Sequence, residues 1–459
     1  MPPFAKARFA HFFADYRLTA ATIIVLAFLL RVFYVATAQV SIPLRADAAQ
    51  YFQIALNVLN YGIFSTDGTG NGLPPPDSYR GPGYPALLAV LLGLTGSNIP
   101  LTYFVVLGLQ AVLGALVAGL AYLLYRKWMP NAYAVAAGAL VAVWPHLITQ
   151  GGYALTEPLF GFCMILGVYL LSRAIDSNRR LTFIAAGLTL AYATLVNQMF
   201  FFFPLLVAVL LFFFARQCRY GLALFVAVAL IPPGLWAVRD ATIHAPPAKT
   251  ASQRLLENVL IGMEPDFALA YSNPEDPRGH VAREWVGQTN TLYYKDRTAA
   301  YSAIAARARN EPVRYLLWFL QKPFLLWQWS VGQGAGDLYI YPMISSPFEQ
   351  NLLYRIIAAA CHGLNLPLML AAFAFMLWQV LTQRRRSAQR APEATLVIWV
   401  FGYATVIYTI LAPDARYANP FRPFELALGI AFLAGAVAKL RLLMVHERTK
   451  SDWASSSGG

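Results

Sequence analysis

Apolar residues run in stretches of about twenty along most of the chain, interrupted by short basic connectors and two long polar segments. A helix of that length crosses a hydrocarbon core about 30 Å thick and satisfies its own backbone on the way. The runs predict ten spans, at 19–38, 101–125, 131–150, 155–173, 181–197, 199–215, 221–239, 352–381, 394–412 and 424–443. Two further apolar segments are predicted as interfacial helices. Gly83–Thr95 is short, and Tyr315–Trp329 holds Lys322, Pro323 and three tryptophans, residues at home where lipid meets water. The polar segments, 39–100 and 240–351, are large loops punctuated by Gly and Pro, with helices expected at Ala48–Leu59 and Thr298–Arg309. The pattern therefore predicts an all-α polytopic membrane protein: one transmembrane domain over 1–443 and a disordered tail over 444–459.

Composition agrees with this reading. Of the 459 residues 58% are hydrophobic and 12% charged, and the charged share is about half that of ordinary soluble domains. The net charge of +13 would suggest nucleic acid in a soluble protein, but here the basic residues gather in connectors. Lys6, Arg8, Arg17, Arg126, Lys127, Arg173, Arg179, Arg180, Arg216, Arg219, Arg384–Arg386, Arg390 and Lys439–Lys450 mark one side as cytoplasmic. Of the 22 acidic residues, all but Asp15, Asp176, Glu393, Glu447 and Asp452 fall on the other side. Nucleic acid is excluded as a partner. Cys163, Cys218 and Cys361 lie in spans or a connector, so the outer loops are expected to hold no disulfide. The first apolar run has no small-residue cleavage site and reads as a retained span.

Chemistry is expected on the outer side, because the cytoplasmic connectors are too short for a nucleotide site. No phosphate loop, zinc spacing or nucleophile elbow occurs. Asp47 follows the first span by about two turns, with Tyr51 on the same helix face; a carboxylate there can act as general base or simply cap a helix. Arg80 opens Arg80-Gly81-Pro82-Gly83-Tyr84-Pro85, where a guanidinium can grip a phosphate or reach lipid headgroups. Glu157 stands at the mouth of a span as a cavity-facing acid or a helix start, with His146 and Gln150 as candidate neighbours. Asp414, Arg416 and Tyr417 form the last outer turn. Lys322 reads as an interfacial anchor or a lipid-phosphate contact. Arg31, inside the first span, is expected to pair with a loop acid. Acids on the outer face leave a divalent metal open, although no ligand spacing calls for one.

In order along the chain come Leu30-Arg31, the Asp47-x-x-x-Tyr51 helix, Tyr79-Arg80-Gly81-Pro82-Gly83-Tyr84-Pro85, Leu155-Thr156-Glu157-Pro158, Asn310-Glu311-Pro312-Val313-Arg314-Tyr315-Leu316 before the Lys322 helix, and Ala415-Arg416-Tyr417 with Pro420. Over residues 19–443 this series resembles the GT-C superfamily of membrane glycosyltransferases, in the bacterial branch near protein O-mannosyltransferases and the lipid A aminoarabinose transferase. The resemblance implies a GT-C fold in the bacterial inner membrane and a polyprenyl-phosphate-linked sugar donor. It also implies a lipid, glycan or protein acceptor, with membrane lipids around the chain.

On that basis Asp47 is the expected general base, with Glu157 as the second acid that relatives carry next to the first; here Ala48 stands in that position. Arg80, Arg416 and Lys322 are expected to hold the donor phosphate, and Tyr51, Tyr84, His146 and Tyr417 to line the pocket. A transporter or flippase of lipid-linked sugars is the rival from another class, and a non-catalytic scaffold the third. A transporter calls for broken helices and an internal repeat; no repeat between the halves is visible, and the polar candidates gather on one side.

Overall fold

The computed structural model describes residues 15–70, 72–246, 249–273, 275–382 and 392–456; the basic residues Lys6, Arg8, Arg384–Arg386 and Arg390 lie outside them. Among the described residues seven helices are long and apolar enough to cross a membrane: Tyr16–Thr37, Ile99–Tyr125, Glu157–Ser177, Arg219–Thr242, Leu352–Thr382, Pro392–Ile410 and Ala415–Lys439. The pair Asn131–Val143 and Pro145–Gly152, bent by 51°, makes an eighth. Helices Arg180–Val196 and Phe203–Phe214 occupy two further predicted runs but are shorter. All ten predicted runs are thus helical, while eight at most have the length of a span. The last helix continues to Ser456, where a disordered tail was expected.

Local chemistry sets the ends of these helices. Asp15 accepts hydrogen bonds from the backbone of Arg17 and Leu18 to start the first span, and Asn98 accepts from Leu101 to start the next. The bent pair breaks at Pro145, which cannot donate to the preceding turn and holds Trp144 extended. The carbonyls freed by that break are taken by Arg31, which donates to Val141 and Ala142 as well as to Ala27 of its own helix. The expected salt bridge from Arg31 to a loop acid is therefore wrong. Orphaned carbonyls of a broken helix satisfy Nη1 and Nη2 of the guanidinium without a carboxylate.

The same device recurs twice. Lys322 donates to the carbonyls of Thr409 (2.8 Å) and Leu411 (3.0 Å), at the end of the Pro392–Ile410 helix. Arg422 donates to Trp327 and Gln328 at the end of helix Pro312–Trp327, and pairs with Glu425 at 2.8 Å. At the far end of the bundle, Lys127 joins Asp176 (2.6 Å) to the buried Glu393 (2.7 Å), locking three spans together.

The two large loops meet on one face. Gln39–Val40 pairs antiparallel with Met343–Ser345, tying the start of the first loop to the end of the second. Helix Ala46–Tyr61 packs on Gly83–Leu94, and helices Ala251–Met263, Pro277–Lys295, Arg297–Asn310 and Pro312–Trp327 build the second loop. Gly81 and Gly83 explain the Gly-Pro-Gly turn. A Cβ on Gly81 would sit 2.5 Å from the Leu195 carbonyl oxygen, and one on Gly83 2.8 Å from the Val196 nitrogen, so the turn lies directly on the end of helix Arg180–Val196. Gly83→Ala is expected to lower the melting temperature in detergent by the equivalent of about 1–3 kcal/mol, the usual cost of overpacking. Gly72→Ala, where a Cβ meets nothing within 4 Å, is the silent control.

Candidate active site

The face carrying both loops holds a polar pocket of about 100 Å³, walled by Asp47, Tyr51, Gly81, Glu157, Arg254, Asn258, Tyr408, Arg416 and Tyr417 among others. Five separate segments supply these side chains. Asp47 enters from the first turn of helix Ala46–Tyr61, immediately after Ala46, whose φ of 46° is uncommon for a residue with a Cβ. That turn aims Asp47 inward, and Tyr341 of the second loop braces it by donating to the Arg45 carbonyl at 3.1 Å.

Asp47 and Glu157 share one guanidinium. Arg416 reaches Asp47 Oδ2 through Nη2 (2.8 Å) and Glu157 Oε1 through Nε (2.5 Å), while Asp47 Oδ1 accepts from Arg80 at 2.6 Å. Arg80 also donates to Gln50 and lies over the rings of Tyr51 and Tyr79 at 5.2 and 5.3 Å. Asp414 does not enter the pocket. Its carboxylate accepts from the backbone of Arg416 (2.8 Å) and Gln333 (2.6 Å), so it fixes the turn that presents Arg416. Glu157 lies at the start of its helix, where the dipole favours a negative charge. Tyr408 and Tyr417 stack with centroids 5.1 Å apart and planes 3° from parallel, forming a flat wall.

Burial alone would push the Asp47 carboxyl up, but Arg80, Arg416 and Arg254 outweigh it and hold it well below the ordinary carboxylate range. Because the folded value is depressed, the contribution of Asp47 to stability is present above its ordinary value of 3.8 and fades as pH falls below it. A pH–rate profile is accordingly expected to show no loss attributable to Asp47 between pH 8 and 5.

The pocket gathers Asp47, Tyr51, Glu157, Arg416 and Tyr417, with Arg80 bound to its edge. Three expected residues stand apart. Tyr84 is buried beneath Tyr51 and donates to Gln110. His146 is buried and donates to the Trp329 carbonyl at 2.6 Å. Lys322, wholly buried, caps a helix, so it does not face the pocket. Lys322→Met is expected to lower the melting temperature while leaving donor affinity unchanged in a titration.

Arg254 is the residue that sequence reasoning missed. It lines the pocket from helix Ala251–Met263, and among the described residues its guanidinium has no carboxylate partner; it lies over Tyr79 at 5.5 Å. The available signal was Arg254 and Asn258, one turn apart, forming a polar stripe on a helix rich in Leu, Val and Ile. Beyond it lies an apolar groove of about 490 Å³, lined by Phe201, Pro233, Trp236 and Leu255 and sharing Gln198, Met199 and Ala251 with the polar pocket. As a cation site the pocket fits poorly. Its two carboxylates already bind guanidinium, and no cluster of three or more His, Cys, Asp or Glu suited to a metal occurs among the described residues.

Residues 93–232 match the family model of dolichyl-phosphate-mannose-protein mannosyltransferase, a segment that includes Glu157 but not Asp47, Arg254 or Arg416. No curated protein sequence gives a significant match. Among solved structures, the chain resembles the Archaeoglobus fulgidus oligosaccharyltransferase in its apo form, with 15% identity, 94% of this chain and 52% of that chain covered, and a TM-score of 0.51. The same enzyme tethered to an acceptor peptide containing the NVT sequon gives 15%, 94%, 51% and 0.50. This chain thus spans about half the length of those structures. It has the GT-C fold, that of a superfamily of membrane glycosyltransferases. Its sequence match within that class is to the protein mannosyltransferase family.

Proposed function

We propose that this protein is a glycosyltransferase that moves a sugar from a polyprenyl-phosphate donor to an acceptor hydroxyl at the face carrying the two large loops. One observation carries the reading: a polar pocket with two carboxylates and an arginine lacking a carboxylate partner among the described residues shares part of its wall with an apolar groove. A lipid phosphate bearing a sugar has that sequence of chemistry, with an apolar chain, an anion and a polar hexose or pentose. The match to a family named for a dolichyl-phosphate sugar supports the same class of donor.

Arg254 lines the pocket from the helix whose Ala251 and Leu255 line the groove, and binds the donor phosphate. Arg80 and Arg416, first expected in that role, are neutralised by Asp47 and Glu157 and instead fix the carboxylates. The acceptor oxygen attacks the anomeric carbon as the bond from that carbon to the phosphate oxygen breaks, and the electron pair leaves with the polyprenyl phosphate. The acceptor proton passes to Asp47. Two arginine bonds leave lone pairs free on its carboxylate, and its depressed pKa keeps it ionised until it receives that proton. Arg254 offsets the charge developing on the leaving phosphate. A single displacement inverts the anomeric centre.

Arg126, Lys127, Arg173, Arg179 and Arg180 gather at the end opposite the pocket, which favours an active site on the extracytoplasmic side of a bacterial inner membrane. The bent Asn131–Gly152 span does not favour a transporter, since Arg31 fills its break. The test is incubation of purified protein with a panel of polyprenyl-phosphate sugars and lipid, glycan and peptide acceptors, with released polyprenyl phosphate read by mass spectrometry. Absence of release across the panel, combined with movement of lipid-linked sugar across a vesicle bilayer, would overturn the reading in favour of a transporter.

A further inference from the structure

Behind the turn that follows Arg416 lies a second, small cavity of about 10 Å³, the space of a single water. Arg31, Gln150 and Asn419 all line it and are 1%, 7% and 2% exposed. Arg31 Nε–H, Gln150 Oε1 and Asn419 Oδ1 are each without a hydrogen-bond partner among the described protein atoms. Orphaned buried polar atoms are uncommon and costly, and three around one cavity share a cause. Pro158, Pro420 and Pro423 contribute no N–H to the remaining wall. Gly114 and Gly161 pack so closely there that a Cβ would meet Arg31 Nε at 2.5 Å or Pro420 Cα at 3.3 Å, which leaves no room for a larger occupant.

We propose that this cavity is a binding site for one structural water, which accepts from Arg31 Nε–H and donates its two protons to Gln150 Oε1 and Asn419 Oδ1. One donor and two acceptors match the capacity of one water. The joint connects the first span, the short 3-10 turn Gln150–Gly152 that ends the bent span, and the turn Asn419–Phe421, which directly follows the helix bearing Arg416. It stands independently of the transferase reading.

Two measurements on the full chain test it. An experimental map good enough to show buried waters is expected to carry one peak within hydrogen-bond distance of all three atoms; an empty cavity in such a map would overturn the site. Gln150→Leu and Asn419→Leu each remove one acceptor at nearly constant size. If both act through the same water, each lowers the melting temperature, and the double variant falls no further than the worse single one. Losses that add would overturn the shared water. Should a variant fail to fold, the wild-type map alone decides.

Discussion

Asp47→Asn is expected to cut release of polyprenyl phosphate by about 10²–10⁴-fold, the usual range for loss of a positioned base. The change keeps the shape and one acceptor oxygen but removes the charge that takes the acceptor proton. Folding should survive, because Arg80 retains Gln50 and Arg416 retains Glu157 when the Asp47 charge is lost. The measurement is a time course of lipid-phosphate release by mass spectrometry, with the melting temperature and donor binding recorded on the same preparation. Full activity in the variant would remove Asp47 from the chemistry and leave Glu157 as the remaining carboxylate of the pocket.

The second large effect is expected at Arg254. Arg254→Gln should raise the donor KM by about 10- to 100-fold, since a hydrogen bond to a charged group contributes about 1.5–3 kcal/mol. It is an informative variant because the structural cost is small: the guanidinium lies over Tyr79 and forms no ion pair among the described residues. Arg254→Lys should recover part of the affinity, as a point charge without the bidentate fork. Titration with polyprenyl phosphate alone, followed by thermal shift, separates donor binding from turnover. An unchanged donor affinity in the Gln variant would assign the phosphate to another group.

Three buried cations show why side-chain roles were harder to read than spans. Arg31, Lys322 and Arg422 each sit in or beside an apolar helix and invite a headgroup, phosphate or acid as partner. All three donate to main-chain carbonyls where a helix breaks or ends, and Arg422 pairs with Glu425 as well. Sequence reveals a charged residue within an apolar run, but the partner depends on which helix terminus packs beside it. Cap carbonyls have no residue type and leave no mark in composition. Asp414 is a similar case: it stands two residues from Arg416, yet its carboxylate holds backbone amides and supports the site from outside.

The sequence by itself determined the membrane character, the helical runs and the two large loops, and it marked Asp47, Glu157, Arg80 and Arg416 as polar candidates. These follow from local properties, since hydrophobic length sets a span and an arginine before a Gly-Pro turn is visible without any neighbour. Only the tertiary structure decided that Arg416 bridges Asp47 and Glu157, 369 and 259 residues away along the chain. It also decided that Lys322, Tyr84 and His146 face elsewhere, and that Arg254 reaches the polar pocket. Those outcomes rest on how independent helices pack against one another, and a burial pattern along one helix does not encode which partner covers it.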